Sequence, residues 1–248
     1  MITIKTDAEI ELLRQSGKIL SNCLKEVEKH IRIGVTTKEL NDIAHRYIVS
    51  CGAVPSCLNY EGYPESVCIS VNEEVVHGIP SKHKVLKDGD IVSVDICVTY
   101  KGMVTDAART FLVGNVSEEV KKLVEVTKEC FYKGIENIKE GSRVGDIGFQ
   151  VSNYAEQFGY GVIRDLTGHG VGYSVHEDPA VPNYGKAGTG SRLYKNEVIA
   201  VEPMIALGTY KVDFLDDGWT CVTQDGRPAS HYENTIVIME NGVEIITE

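Results

Sequence analysis

A weak internal repeat constrains this chain of 248 residues more than any single motif. The segment Leu86-Lys-Asp-Gly-Asp-Ile-Val-Ser-Val-Asp95 aligns with Leu193-Tyr-Lys-Asn-Glu-Val-Ile-Ala-Val-Glu202 at an offset of 107. The same offset pairs Ile31 with Ile138, Gly34 with Gly141, Leu40 with Ile147, Tyr47 with Tyr154 and Gly52 with Gly159. Several segments that share one offset, with an acid at the same place, point to two copies of one unit. In each copy a long helical stretch comes first, predicted over 7–33 and 117–140, with Gly34 and Gly141 as stops. A second helix follows. In the first copy it opens on a capping box of Thr36 and Glu39 and stops near Gly52. In the second it covers 145–158 and ends at Gly159. Strands then carry the acids. The expectation is an α+β fold of two pseudo-symmetric halves, about 1–114 and 115–248, with Asp95 and Glu202 facing each other at the centre. No Pro- or Ser-rich linker separates the halves, so they are read as one domain.

Five side chains stand out within this frame: Asp95, Asp106, His169, Glu202 and Glu233. Four carboxylates and an imidazole, set in apolar or glycine-rich runs, are expensive to bury unless positive charge sits among them. Oxygen-rich ligation with one nitrogen suits a pair of divalent cations better than one tetrahedral zinc. Two cations a few Å apart form a hydrolytic template. Asp95 and Asp106 fall on a predicted hairpin, 91–100 returning over 103–113 through Lys101-Gly102. A two-residue turn there pairs Asp106 with Cys97 and leaves Asp95 a diagonal neighbour, roughly 7–8 Å away at the backbone. Two exposed acids on a hairpin would look the same locally; the acid at the repeat-related position argues against that. Glu202 lies in Val198-Ile-Ala-Val-Glu-Pro-Met-Ile205, where Pro203 cannot donate to a ladder. Glu233 immediately precedes the apolar run from Asn234 to Met239.

The histidines divide unevenly. His30 and His45 fall in helical stretches and His83 in a lysine-rich loop, all read as surface residues. His77 precedes a glycine, where a core, turn or functional role is open. His169 lies between Gly168 and Gly170, which lets a ligand or metal approach the backbone. His231, two residues before Glu233, can share its face. A net charge of −11 argues against a dedicated nucleic-acid binder, and the cluster Lys82, Lys84 and Lys87 reads as a solvated loop. Seven cysteines without a CxxC pair, and a start without an apolar signal core, suit free thiols in a reducing cytoplasm. No apolar run approaches the ~20 residues of a membrane span.

The ordered set Asp95, Asp106, His169, Glu202 and Glu233, the segment Gly168-His-Gly-Val-Gly172 with His176 following, and Val201-Glu-Pro-Met204 resemble the methionine aminopeptidases over essentially the whole chain. Only 25 residues separate His176 from Glu202, which is similar to the short bacterial type I form. The resemblance implies a pita-bread fold, a curved antiparallel sheet covered by helices. It implies two divalent metal ions, drawn from Co, Mn, Fe or Zn. Asp106 and Glu233 would bridge them, Asp95 would chelate one, and His169 and Glu202 would complete the other. Glu202 would shuttle a proton, His77 would bond the substrate near the scissile amide, and His176 would stabilise the tetrahedral intermediate. Cys57, Tyr60, Tyr63, Cys68 and Trp219 match the wall of the methionine pocket. The implied reaction is removal of initiator methionine from nascent polypeptide N-termini with a small second residue. It would be carried out by a monomer with at most transient ribosome contact.

Three positions depart from the family pattern. Val175, before the second histidine, and Leu166, two before Gly168, replace usual aromatics; His231 replaces a usual glutamine. Two other readings compete. A proline aminopeptidase or prolidase shares the fold but usually carries an extra N-terminal domain. A metal-free binding module on this fold would be marked by lost ligands, and all five are present.

Overall fold

The computed structural model describes residues 2–248. Its α-helices are α1 (Asp7–Glu28), α2 (Thr37–Ser50), α3 (Glu118–Ile135) and α4 (Val144–Glu156). The repeat reappears in their boundaries. α1 ends at Glu28 and α3 at Ile135, while α2 begins at Thr37 and α4 at Val144, each pair keeping the offset of 107. The predicted capping box is present: Thr36 Oγ1 accepts from Glu39 N (3.1 Å), and Glu39 accepts from Thr36 N (2.8 Å).

The first helix of each half is shorter than expected, stopping at residues 28 and 135 rather than 33 and 140. The cause is the same in both. The next amides bond three residues back, Ile31 N to Glu28 O (3.1 Å) and Ile138 N to Ile135 O (3.1 Å), and that tightening ends the helix. Gly34 (φ 89°) and Gly141 (φ 91°) then serve the following turn, with conformations that disfavour other residues. Their amides bond Leu86 O (2.8 Å) and Leu193 O (2.9 Å), again a repeat-related pair. His30 consequently lies in the turn beyond α1.

By hydrogen-bond pairing the strands form four antiparallel groups. The central hairpin is Ile91–Tyr100 with Met103–Leu112, in the predicted register, Cys97 opposite Asp106. Lys101 (φ 48°) and Gly102 (φ 83°) supply the two left-handed residues of a tight hairpin turn. Cys68–Val71 pairs along the hairpin with Cys68 opposite Asp95. In the second half, Val198–Val201 lies between Gly168–Gly170 and Asn234–Met239, with Val201 opposite Asn234. Glu202 and Glu233 therefore leave that ladder side by side. Glu233 N donates to Ala108 O (3.0 Å), and Thr235 Oγ1 accepts from Asp106 N and donates to Asp106 O (2.8 Å each). These bonds join the second-half strands to the hairpin at the level of the acids.

The helices cover the strands. One apolar cluster runs from Leu20 to Val113 and packs α1 and α2 on the hairpin. A second takes Ile91 and residues from Val116 to Ile238, under α3 and α4. A third, including Leu13, Cys97, Val171 and Val237, lies between them. Among the described residues no helix is long and apolar enough to cross a membrane. The packing of α1 is close enough to test. Gly17 is the point where the helix meets the chain near Ile246, and a Cβ there would lie 1.9 Å from Ile246 O. Gly17→Ala must push the helix away from backbone, at a cost of about 1–3 kcal/mol. Thermal unfolding of the metal-free protein should fall by roughly 2–4 °C per kcal/mol; an unchanged midpoint would show that the contact yields freely.

Candidate metal centre

The hairpin supplies Asp95 and Asp106, and the second-half ladder supplies His169, Glu202 and Glu233. All five line one cavity of about 440 Å³. The backbone explains why acids are tolerated there. Asp95 and Asp106 project from a strand pair whose other face carries the apolar core, and the antiparallel period sets both on the cavity side. Pro203 interrupts Val198–Val201 and Met204–Ala206 just where Glu202 must turn inward.

Ligand atoms gather closely. Asp106, His169 and Glu233 form one group within 4.8 Å, as do Asp95, Cys97 and Asp106, and Asp95, His231 and Glu233. His169 Nδ1 lies 2.9 Å from Gly170 O. A carbonyl only accepts, so Nδ1 carries the proton and the Nε2 lone pair faces Glu202 Oε1 (3.4 Å) and Asp106 Oδ2 (3.8 Å). The nitrogen left free is the one that faces the acids. Cys97 Sγ donates to Asp106 Oδ2 (3.0 Å).

Electrostatics show what the cluster lacks. Burial, then the neighbouring Asp106 charge, pushes Asp95, Glu202 and Glu233 well above the usual carboxylate range. Burial raises Asp106 to about 7. Burial, then His176, lowers His169 to about 4, so it is neutral at pH 7 and free to ligate. Asp95 Oδ1, Asp106 Oδ1, Glu233 Oε1 and both ring nitrogens of His231 are buried with no hydrogen-bond partner. Orphaned buried polar atoms are rare and costly. A divalent cation or two among these donors would satisfy the carboxylate oxygens and return the acids to their ionised form. The residues present fit an oxygen-rich centre with imidazole nitrogen.

The remaining expected residues line the same cavity: Cys57, Tyr60, Tyr63, Cys68, His77, His176 and Trp219. His176 Nδ1 is 2.8 Å from the Tyr60 hydroxyl, and its ring centroid is 4.3 Å from that of His169. His77 adopts φ 59°, the strained left-handed region, which aims its ring into the cavity. Tyr63 donates to Gly78 O (2.9 Å) and meets Trp219 edge-on with ring centroids 5.1 Å apart. Leu166, Val175 and Met204 complete the apolar wall.

Some local readings change. Gly168 and Gly170 make room for neighbouring strands rather than for a ligand: a Cβ would lie 2.4 Å from Ala200 O and 2.1 Å from Asp178 O respectively. His231 is buried, with Nε2 3.7 Å from Glu233 and 3.8 Å from Glu202, beyond hydrogen-bond reach but inside the cluster. Sequence reasoning missed Arg109. Its guanidinium bonds Glu233 O, Ala108 O (2.8 Å) and Asn234 Oδ1 (2.7 Å) and lies over the Tyr232 ring, holding the strand behind Glu233. It also missed Asn183, which donates to Glu202 O (2.9 Å). No local pattern marks either residue.

A buried acid-and-imidazole cluster that opens on an apolar cavity, in a pseudo-symmetric α/β frame, defines a metal-dependent hydrolase. The chain belongs to metallopeptidase family M24, whose model matches residues 11–240, and within it to the methionine aminopeptidases. It is 52% identical to the methionine aminopeptidase of Clostridium acetobutylicum, over 100% of this chain and 99% of that protein. The crystal structure of methionine aminopeptidase from Thermotoga maritima superposes with a TM-score of 0.98 at 46% identity, each chain fully covered. The Xaa-Pro dipeptidase from Bacillus anthracis is more distant, with a TM-score of 0.80 and 26% identity. It is matched over 99% of this chain and 62% of its own.

The raised carboxyls generate a prediction. Below their folded pKa they hold protons that a cation must displace, so cation affinity is lost as pH falls below about 7, the value for Asp106. Titration calorimetry with Mn²⁺ in buffers of different ionisation heat should show at least one proton released per site filled, and affinity rising from pH 6 to pH 8. Zero proton release would mean that the acids are already ionised without metal.

Proposed function

We propose that the protein removes the N-terminal methionine from nascent polypeptides and peptides whose second residue is small. The observation that carries this reading is one cavity that joins the five-ligand centre to an apolar wall of thiols and aromatic rings. A thioether finds favourable sulfur and aromatic-edge contacts there. Two divalent cations bound by Asp95, Asp106, His169, Glu202 and Glu233 would supply a nucleophilic water at neutral pH and polarise the scissile carbonyl. Co, Mn, Fe and Zn all suit such a ligand set.

The chain's own residues divide the remaining work. Asp106 and Glu233 would serve both cations, Asp95 would hold one, and His169 with Glu202 would hold the other. Glu202, ionised once positive charge is bound beside it, takes a proton from the attacking water and delivers it to the departing amine. Burial, first of the causes, lowers both His77 and His176, so both are neutral at pH 7. A Tyr60 hydroxyl that donates to His176 Nδ1 leaves the Nε2 proton to bond the developing oxyanion. His77, which lines the same cavity, bonds the substrate near the scissile amide. The second residue, held beside the ligands, is small in this reading. In this reading the chain is one catalytic domain that works as a monomer in the cytoplasm, on chains emerging from the ribosome.

Two experiments test the proposal. Metal-stripped protein re-supplied with Co²⁺, Mn²⁺ or Fe²⁺ should release methionine from Met-Ala-Ser, with much weaker cleavage of Leu-Ala-Ser and none of Xaa-Pro peptides. Asp106→Asn should lose at least a thousandfold in kcat/KM, on the order of 4 kcal/mol. Cleavage of Xaa-Pro peptides instead would move the protein to the proline-specific branch of the fold. Val175 lines the pocket at a position where the family resemblance implies an aromatic ring. Val175→Phe should sharpen discrimination of methionine over norleucine and leucine, by roughly tenfold for a change of this size. Equal selectivity ratios in the two proteins would remove Val175 from the specificity wall.

A further inference from the structure

The segment ahead of α1 reaches Glu177, a residue that lines the site. Ile4 bridges to Glu197, and Lys5 N donates to Asn196 O (3.0 Å), so residues 3–5 run beside the start of Val198–Val201. The Lys5 side chain turns inward and is 0% exposed. Its ammonium bonds Glu177 Oε2 (2.7 Å) and Thr3 Oγ1, and the Thr3 hydroxyl bonds the same carboxylate oxygen. The ammonium also lies 4.7 Å from the centroid of the Tyr173 ring. The other oxygen of Glu177 accepts the backbone N–H groups of Tyr173 and Ser174 (3.1 Å to the latter). Burial works against the Glu177 charge, yet the bonds from Lys5 and Thr3 hold its carboxyl below the usual range.

Glu177 therefore joins the N-terminal segment to the loop that leads into His176. The loop is shaped around the lysine. Gly172, at φ 143°, leaves the space through which the Lys5 stem passes, and a Cβ there would lie 2.4 Å from Lys5 Cε. Gly172 O accepts from Val104 N (2.7 Å), on the strand that carries Asp106. Ser174 Oγ donates to His176 O (2.8 Å). A buried lysine–carboxylate pair costs desolvation that an apolar contact would avoid, so it is weak as a device for stability alone. It is well suited to fixing one geometry, because the ammonium and the two backbone donors all demand the same carboxylate orientation.

We propose that Lys5 is a positioning residue for His176. Its ammonium fixes Glu177, and through it the loop from Gly172 to Glu177, so that the imidazole faces the bond being cleaved. The inference rests on the catalytic role proposed above for His176.

The test is a cycle of Lys5→Met and His176→Ala, with Lys5→Arg and Glu177→Gln alongside, measured on the Mn²⁺-loaded protein with Met-Ala-Ser. Lys5→Met and Glu177→Gln should each lower kcat roughly 10- to 100-fold, the scale of a small misplacement, with KM and Mn²⁺ affinity close to the parent. Lys5→Arg should recover most of the loss. In the His176→Ala background, Lys5→Met should change kcat less than twofold. Multiplicative losses in the double variant, or a Lys5→Met protein altered only in melting temperature, would overturn the proposal. Should Lys5→Met fail to fold, the same cycle run with Glu177→Gln decides between the two. If the parent protein releases no methionine, the functional reading fails on its own. The link from Lys5 to His176 is then judged by the ring ¹⁵N and ¹H signals of His176, which must move in both Lys5→Met and Glu177→Gln if Lys5 acts through Glu177 and stay put in Lys5→Met if it does not.

Discussion

Mutual repulsion among buried carboxylates is the constraint around which the molecule is arranged. Asp95, Asp106, Glu202 and Glu233 share one cavity, and each is pushed up in pKa, by burial in every case and by a neighbouring acid in three. Such a cluster cannot ionise fully inside protein without positive charge among its members. The surrounding scaffold holds it together nonetheless. Thr235 brackets both backbone polar groups of Asp106, Ala108 O takes the amide of Glu233, and Arg109 grips the strand behind it. These bonds use backbone atoms, which leaves the carboxylate oxygens free to face inward. A protein built for stability alone would put apolar side chains in their place.

The pseudo-symmetry solves a geometric problem that such a cluster raises. One hairpin can present two acids on a face, but a cation pair needs donors from several directions. Duplicating the unit delivers a second wall with its own acid, Glu202, at the sequence position equivalent to Asp95. The offset persists in the helix ends, the second-helix starts and the bonds from Gly34 to Leu86 and Gly141 to Leu193. The halves diverge where chemistry requires it. The second contributes His169 from a glycine-flanked strand, and the first contributes Cys57, Cys68 and His77 to the apolar wall.

Legibility in the sequence followed the range of the interactions. The hairpin register was readable to the residue, because a two-residue Lys101-Gly102 turn leaves one pairing, and Asp106 lies opposite Cys97 as expected. Thr36 and Glu39 announce α2 because a capping box is local. The ends of α1 and α3 were misjudged because Ile31 and Ile138 continue the apolar period after the backbone has already tightened. The flanking glycines of His169 were read as room for a ligand, whereas adjacent strands fill that room. Arg109, Asn183 and Lys5 reach the site through contacts across the fold, and nothing in their neighbours along the chain announces that.

Fold alone does not choose the substrate. The same frame, at a TM-score of 0.80, serves a protein described as an Xaa-Pro dipeptidase, so the frame does not set the substrate and specificity is to be sought in the wall of the cavity. Here the wall combines thiols, Tyr63 set edge-on to Trp219, and aliphatic side chains at Val175 and Leu166. Sulfur and aromatic edges favour a flexible, polarisable side chain over a rigid ring. Aliphatic residues at these two positions leave that wall softer than aromatic rings would. If the wall receives a thioether, as proposed, the margin between methionine and leucine should be narrow, because shape excludes less and contact chemistry alone discriminates.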